Sequence, residues 1–85
     1  MDRDKLSNIE PKQAANAAMQ VVDALQRFPA GTQLMGLATA WKMAMDLYGV
    51  SISDVMTYSG NLINDTDGRR PEFSAVAEYL EKEWS

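Results

Sequence analysis

Cysteine and histidine are both absent from this chain, and the two absences remove most of the chemistry open to a small protein. Without thiols there is no disulfide framework and no thiolate metal site, so packing must hold the fold, which suits a reducing compartment. Without imidazole, the usual general base near neutral pH and the commonest nitrogen ligand for zinc are missing. Catalysis would fall to Asp, Glu, Lys, Tyr, Ser and Thr alone. Long apolar runs are missing too. No window approaches the roughly 18 apolar residues of a membrane span, and the opening stretch, MDRDKLSNIEPKQ, is charged and has no apolar signal region. The expectation is a cytoplasmic protein without membrane contact. Basic residues are scarce: Lys and Arg number 8 against 12 Asp and Glu, for a net charge of −4, and no basic run is present to follow a phosphate backbone.

What is present reads as helix. A length of 85 residues allows a single domain with one modest core, near the size where assembly often supplies missing burial. Residues 1–10 mix charges of both signs and are expected to form a flexible arm, with Leu6 and Ile9 available to tuck onto a helical domain spanning 11–85. Pro11 suits the first position of a helix, where its missing N–H costs nothing. From there to about Phe28, Ala14, Ala17, Ala18, Val21, Leu25 and Phe28 recur at helical spacing opposite Lys12, Gln13, Asn16, Gln20, Asp23 and Arg27.

Pro29-Ala30-Gly31-Thr32 breaks the pattern, with Thr32 the expected cap of a second helix that closes at Gly49 in a left-handed cap. That second helix is apolar over well more than half its circumference, from Leu34 to Tyr48, which leaves Thr39, Lys42 and Asp46 as a narrow polar strip. Such a helix is expected at the centre of a fold. A third helix starts at Ser51, whose hydroxyl and Asp54 make a capping-box pattern. Ile52, Val55, Met56, Ser59, Leu62 and Ile63 form one face of it. Asp65-Thr66-Asp67-Gly68 is a turn, and Pro71 opens a fourth helix carrying Phe73, Val76, Ala77, Leu80 and Trp84 inward. The predicted fold is all-α, a four-helix single domain around the apolar second helix, with Leu37, Trp41, Val55, Leu62, Val76 and Leu80 in its core.

The junction between the second and third helices has two readings. In the helix-turn-helix of phage repressors, a small residue precedes the turn glycine by four places, an apolar residue follows that glycine, and another lies five further on. Gly49, Val50 and Val55 fit, but Met45 stands where the small residue belongs. The outward positions Ser53, Asp54, Thr57, Asn61, Asn64 and Asp65 contain no Arg or Lys to meet phosphate or guanine. A glycine corner in a helical core is the better reading. A DNA-binding regulator using residues 41–65 remains the alternative, and it would require dimerisation to align Arg69 and Arg70.

Other motifs are weaker. Taking Gly68 as the sixth position of a calcium loop puts Ile63 first and Ser74 twelfth, so both required carboxylates are missing. Glu78 and Glu81 lie on the outer strip of the fourth helix, where solvated carboxylates have no cleft to work in. Glycine-rich phosphate loops and nucleophile elbows do not occur. The chain is therefore read as a non-enzyme with no cofactor and no metal.

Two positive signals remain. Met35 in the polar strip of the second helix, Met19, Tyr58 and Tyr79 give adaptable contact surface. Residues 51–68 carry Asp54, Asp65 and Asp67 with no base among them, a patch suited to a partner with a basic or apolar groove. Asp54, Tyr58, Asn61 and Asp65 recur at i, i+4, i+7 and i+11 on the third helix and, with Met35, are the candidate partner-binding residues. The wide apolar arc of the second helix points to a two-fold homodimer.

The order RFPAG, GLA, LYGVSISDV, NLIND and RRPEF, covering most of the chain from Arg27 to Tyr79, resembles small uncharacterised helical proteins encoded by phages and prophages. The resemblance carries no functional residues. It implies an accessory protein that acts by binding: regulating phage genes, assembling with itself, or obstructing a host complex.

Overall fold

Helix ends in this chain fall where a residue supplies the missing backbone partner. A computed structural model describes residues 3–84. Its helices are α1 (Arg3–Ser7), α2 (Pro11–Leu25), α3 (Ala30–Tyr48), α4 (Ile52–Ile63) and α5 (Ser74–Glu83), the last entered through a 3₁₀ turn, Pro71–Phe73. Pro11 opens α2. Gly49 closes α3 with φ 68°, and the amides of Gly49 and Val50 both donate to Met45 O. Ser51 Oγ then accepts from the Asp54 amide at 3.1 Å to start α4. The four periodic segments of the sequence are thus the four long helices, α2 to α5.

Three local features differ from expectation. The arm at 1–10 contains the short helix α1, which lies against α4. The cap of α3 is Pro29, not Thr32, because the extended φ of proline (−59°, ψ 154°) already launches a helix at Ala30. The Asp65–Gly68 turn closes a minimal antiparallel hairpin, β1 (Asn64–Asp65) with β2 (Gly68–Arg69), in which Asp65 Oδ1 accepts from the Asp67 amide at 2.8 Å and Gly68 takes φ 115°. Two-residue strands leave no alternation to read in a sequence.

The centre of the fold is α2, not α3. Ala15 and Val22 on α2 are buried, and α2 packs against α3, α4, α5 and the 3₁₀ turn. Small side chains along α2 let several neighbours approach, whereas α3 touches α2 and little else. Phe73 and Met45 complete the buried apolar set, and Gln33 is buried with Nε2 donating to Gln26 O at 3.2 Å, satisfying a carbonyl left open at the end of α2. Leu37, Trp41, Val55, Leu62, Val76 and Leu80, expected in the core, are each half-buried. The C-terminal helix is latched to α2 by polar contacts. Trp84 Nε1 donates to Val22 O at 3.0 Å, and Tyr79 Oη donates to Asp23 Oδ1 at 2.7 Å. That bond to a carboxylate, aided by desolvation, pushes the Tyr79 phenol up to about 12.

The result is a plate, 35 × 32 × 18 Å, with a radius of gyration of 13.4 Å where about 12 Å is usual for this length. Its accessible surface is 6232 Å², against about 5,000 Å² for an average monomer of 9.4 kDa. Much of the excess is apolar: Met35, Met43 and Leu47 on α3 are 62%, 67% and 78% exposed. Among the described residues no helix is long and apolar enough to cross a membrane.

Candidate protein-interaction site

Val55, Tyr58, Ser59 and Leu62 repeat along α4 at helical spacing and are half-buried, while Ile52, Met56 and Ile63 face outward. Ser59 turns its hydroxyl back to Val55 O at 2.6 Å, which removes a polar group from the inner side. Near the C-terminal end of α4 the inner side meets α1 across a cavity of about 360 Å³, lined by Leu6, Ile9, Tyr58, Asn61, Leu62 and Arg70 among others. Tyr58 and Asn61, two of the residues selected from sequence, therefore share one site.

Arg70 was not selected, and it is the polar centre of that cavity. As the residue before Pro71 it is held extended (φ −66°, ψ 139°), its amide donates to Ile63 O at 2.7 Å, and Nη2 donates to Asn61 O at 3.3 Å. The Arg70 Nε is buried and finds no hydrogen-bond partner among the described residues. A buried donor without an acceptor costs on the order of 1–3 kcal/mol, and here Nε is covered by the surrounding protein. The signal in sequence was the Arg-Pro pair, which fixes the backbone direction of Arg70.

The other candidates lie apart from this cavity. Asp54 is half-buried in the first turn of α4. Asp65 is off the helix, because α4 ends at Ile63, and its carboxylate serves the hairpin turn. The face drawn through i, i+4, i+7 and i+11 is thus interrupted. Met35 lies on α3, bordering a shallow apolar groove with Thr32, Gly36, Thr39, Ala40 and Met43. Among the described residues no three Asp or Glu side chains converge as a metal cluster. Compared with family models, curated proteins and solved structures, the chain matches none.

Proposed function

We propose that this chain is a non-enzymatic accessory protein of phage or prophage type that acts by binding a protein, modulating or blocking an assembly of its host. The observation that carries this reading is the cavity between α1 and α4: a recess of mixed polarity lined by Leu6, Ile9, Tyr58, Asn61, Leu62 and Arg70. The recess takes one apolar side chain, the positive charge of Arg70 in its lining favours an acceptor oxygen beside that anchor, and the hairpin leading into Arg70 offers Asp65 and Asp67 to basic groups of the partner. Such a site recognises a peptide or protein edge bearing an apolar anchor next to a carbonyl or carboxylate. A DNA reader needs both Arg69 and Arg70 free for phosphate, and the tie between Arg70 and Asn61 O favours protein over DNA.

The test is affinity capture with purified chain from host lysate, run in parallel with Tyr58→Ala, Asn61→Ala and Arg70→Gln. A specific partner retained by the native chain and lost by all three variants supports the reading. Retention of that partner by all three, or salt-sensitive duplex binding abolished by Arg69→Ala, overturns it.

A further inference from the structure

On α3, at about 100° per residue, Thr32, Gly36, Thr39, Ala40, Met43 and Leu47 fall within an arc of about 100°; at Gly36 the arc borders α2, where Leu25 would lie 3.8 Å from an added Cβ, and from Thr39 to Leu47 its members are exposed. Thr32, Gly36, Ala40, Met43 and Leu47 repeat in steps of four and three, the steps of a helix–helix seam, with Thr39 beside Ala40. The side chains along it are graded: Thr32 and Gly36 at the N-terminal end are small, and Met43 and Leu47 at the C-terminal end are large and mostly exposed. Thr32, Gly36, Thr39, Ala40 and Met43 line an open groove together with Gly31 and Met35.

We infer that α3 is the interface of a two-fold dimer in which it pairs antiparallel with the α3 of a second copy, the axis passing between Thr39 and Ala40. In that register Gly36 of one copy faces Met43 of the other, and Thr32 faces Leu47, so each large side chain meets a small one. A parallel pair would set Gly36 on Gly36 and Leu47 on Leu47, leaving a void at one end and crowding at the other. Charge agrees with a second copy as the occupant. Lys42 and Asp46, which flank the seam, are joined by an ion pair of 2.8 Å within the helix, so two copies of an otherwise acidic chain meet on a face with no net charge to repel. Area agrees as well. The chain exposes 6232 Å², about 1,200 Å² above the average for its mass, and a standard interface covers about 800 Å² per partner. The dimer is independent of the contact at Tyr58, Asn61 and Arg70, which lies on other elements.

The cysteine-free chain allows the geometry to be tested by single introduced thiols. Under mild oxidation Ala40→Cys is expected to cross-link to its own copy across the axis. Leu47→Cys is not, because the two positions would lie about 22 Å apart along the pair, beyond the reach of a disulfide of about 7 Å. A mixture of Gly36→Cys and Met43→Cys chains is expected to give the mixed disulfide. Sedimentation equilibrium is expected to give about twice 9.4 kDa for the native chain, and half that mass for Met43→Glu and Leu47→Glu with unchanged helical circular dichroism. A monomeric native chain at high micromolar concentration overturns the dimer. Cross-linking of Leu47→Cys as fast as Ala40→Cys overturns the antiparallel arrangement, and a dimer surviving in both Glu variants moves the interface off this face. Partner capture by Met43→Glu reports on the α4 site separately.

Discussion

Replacing Phe73 by alanine is expected to be the most damaging single truncation of an aromatic in this fold, and to exceed Trp41→Ala. The order follows from burial. Phe73 is 8% exposed at the junction where the 3₁₀ turn meets α2 and α5, with rigid elements on several sides that restrict collapse into the vacated space. Such a cavity costs about 3–4 kcal/mol. Trp41 is larger but only half-buried on α3, so its truncation removes roughly half the packed area, for about 1.5–2.5 kcal/mol. A domain of this length has a total stability on the order of 4–13 kcal/mol, so the Phe73 variant keeps little margin. Both should be measured by urea unfolding followed by circular dichroism, in the Met43→Glu background so that self-association contributes nothing to the midpoint. With m near 1 kcal/mol/M and unchanged, the Phe73→Ala midpoint should fall by about 3 M. A loss below about 1 kcal/mol, or a Trp41→Ala loss larger than that of Phe73→Ala, would refute the placement of the core around α2.

Gly49→Ala should cost about 1 kcal/mol, because φ is 68° and nothing lies within 4 Å of an added Cβ, so the whole effect is backbone strain; unfolding midpoints check it, and a neutral result denies the left-handed cap. Ser51→Ala should cost about 1 kcal/mol through loss of the acceptor for the Asp54 amide, with Ser51→Asp restoring most of it. For Tyr79, whose phenol stands at about 12 against an ordinary 10.0, the folded state holds its proton more tightly than the unfolded chain. Its stabilisation is therefore complete below pH 10.0 and lost as pH rises through about 12. Tyr79→Phe should flatten the fall in unfolding free energy across that window, and an unchanged slope would show that the bond to Asp23 is absent.

Element type was legible in the sequence because helix ends are local. Pro11, Gly49 and Ser51 each act on backbone groups within a few residues of themselves, so their roles follow from identity and position alone. Placement was not legible in the same way. On α5 the expected Val76, Ala77 and Leu80 are half-buried, whereas on α2 the buried residues are Ala15 and Val22, the expected Ala17 and Val21 are exposed, and the helix ends at Leu25, short of the exposed Phe28. The apolar residues of α3 surround it, so they state that much surface needs cover without stating from which side. Placing α3 at the centre followed from the assumption that three neighbours would supply the cover, whereas the Ala-rich α2, able to accept close contacts from several directions, took that position. The candidate site divides along the same line. Tyr58 and Asn61 were found by helical spacing, Asp65 was misplaced because the helix ends two residues before it, and Arg70 emerges only when the pre-proline backbone turns its side chain toward Asn61 O.

A plate 18 Å thick holds two layers of helices about 10 Å across, and in two layers each helix has one covered side. For α2 and α5 the outward residues include Gln20, Glu78 and Glu81, although α2 also exposes Val21 and α4 exposes Ile52, Met56 and Ile63. On α3 the exposed apolar side chains are more numerous, among them Leu34, Met35, Met43 and Leu47. A second α3 would cover Met43 and Leu47 among these residues from outside, which is the dimer proposed above. On the proposed reading the two surfaces differ in chemistry: the exposed apolar residues of α3 would meet a second copy, and the Arg70 cavity with its acidic hairpin a foreign chain. If one surface served both purposes, the α3 variants that dissociate the dimer would also abolish capture of the partner. Independent loss of the two is the outcome expected if the proposed dimer and the proposed partner use separate faces.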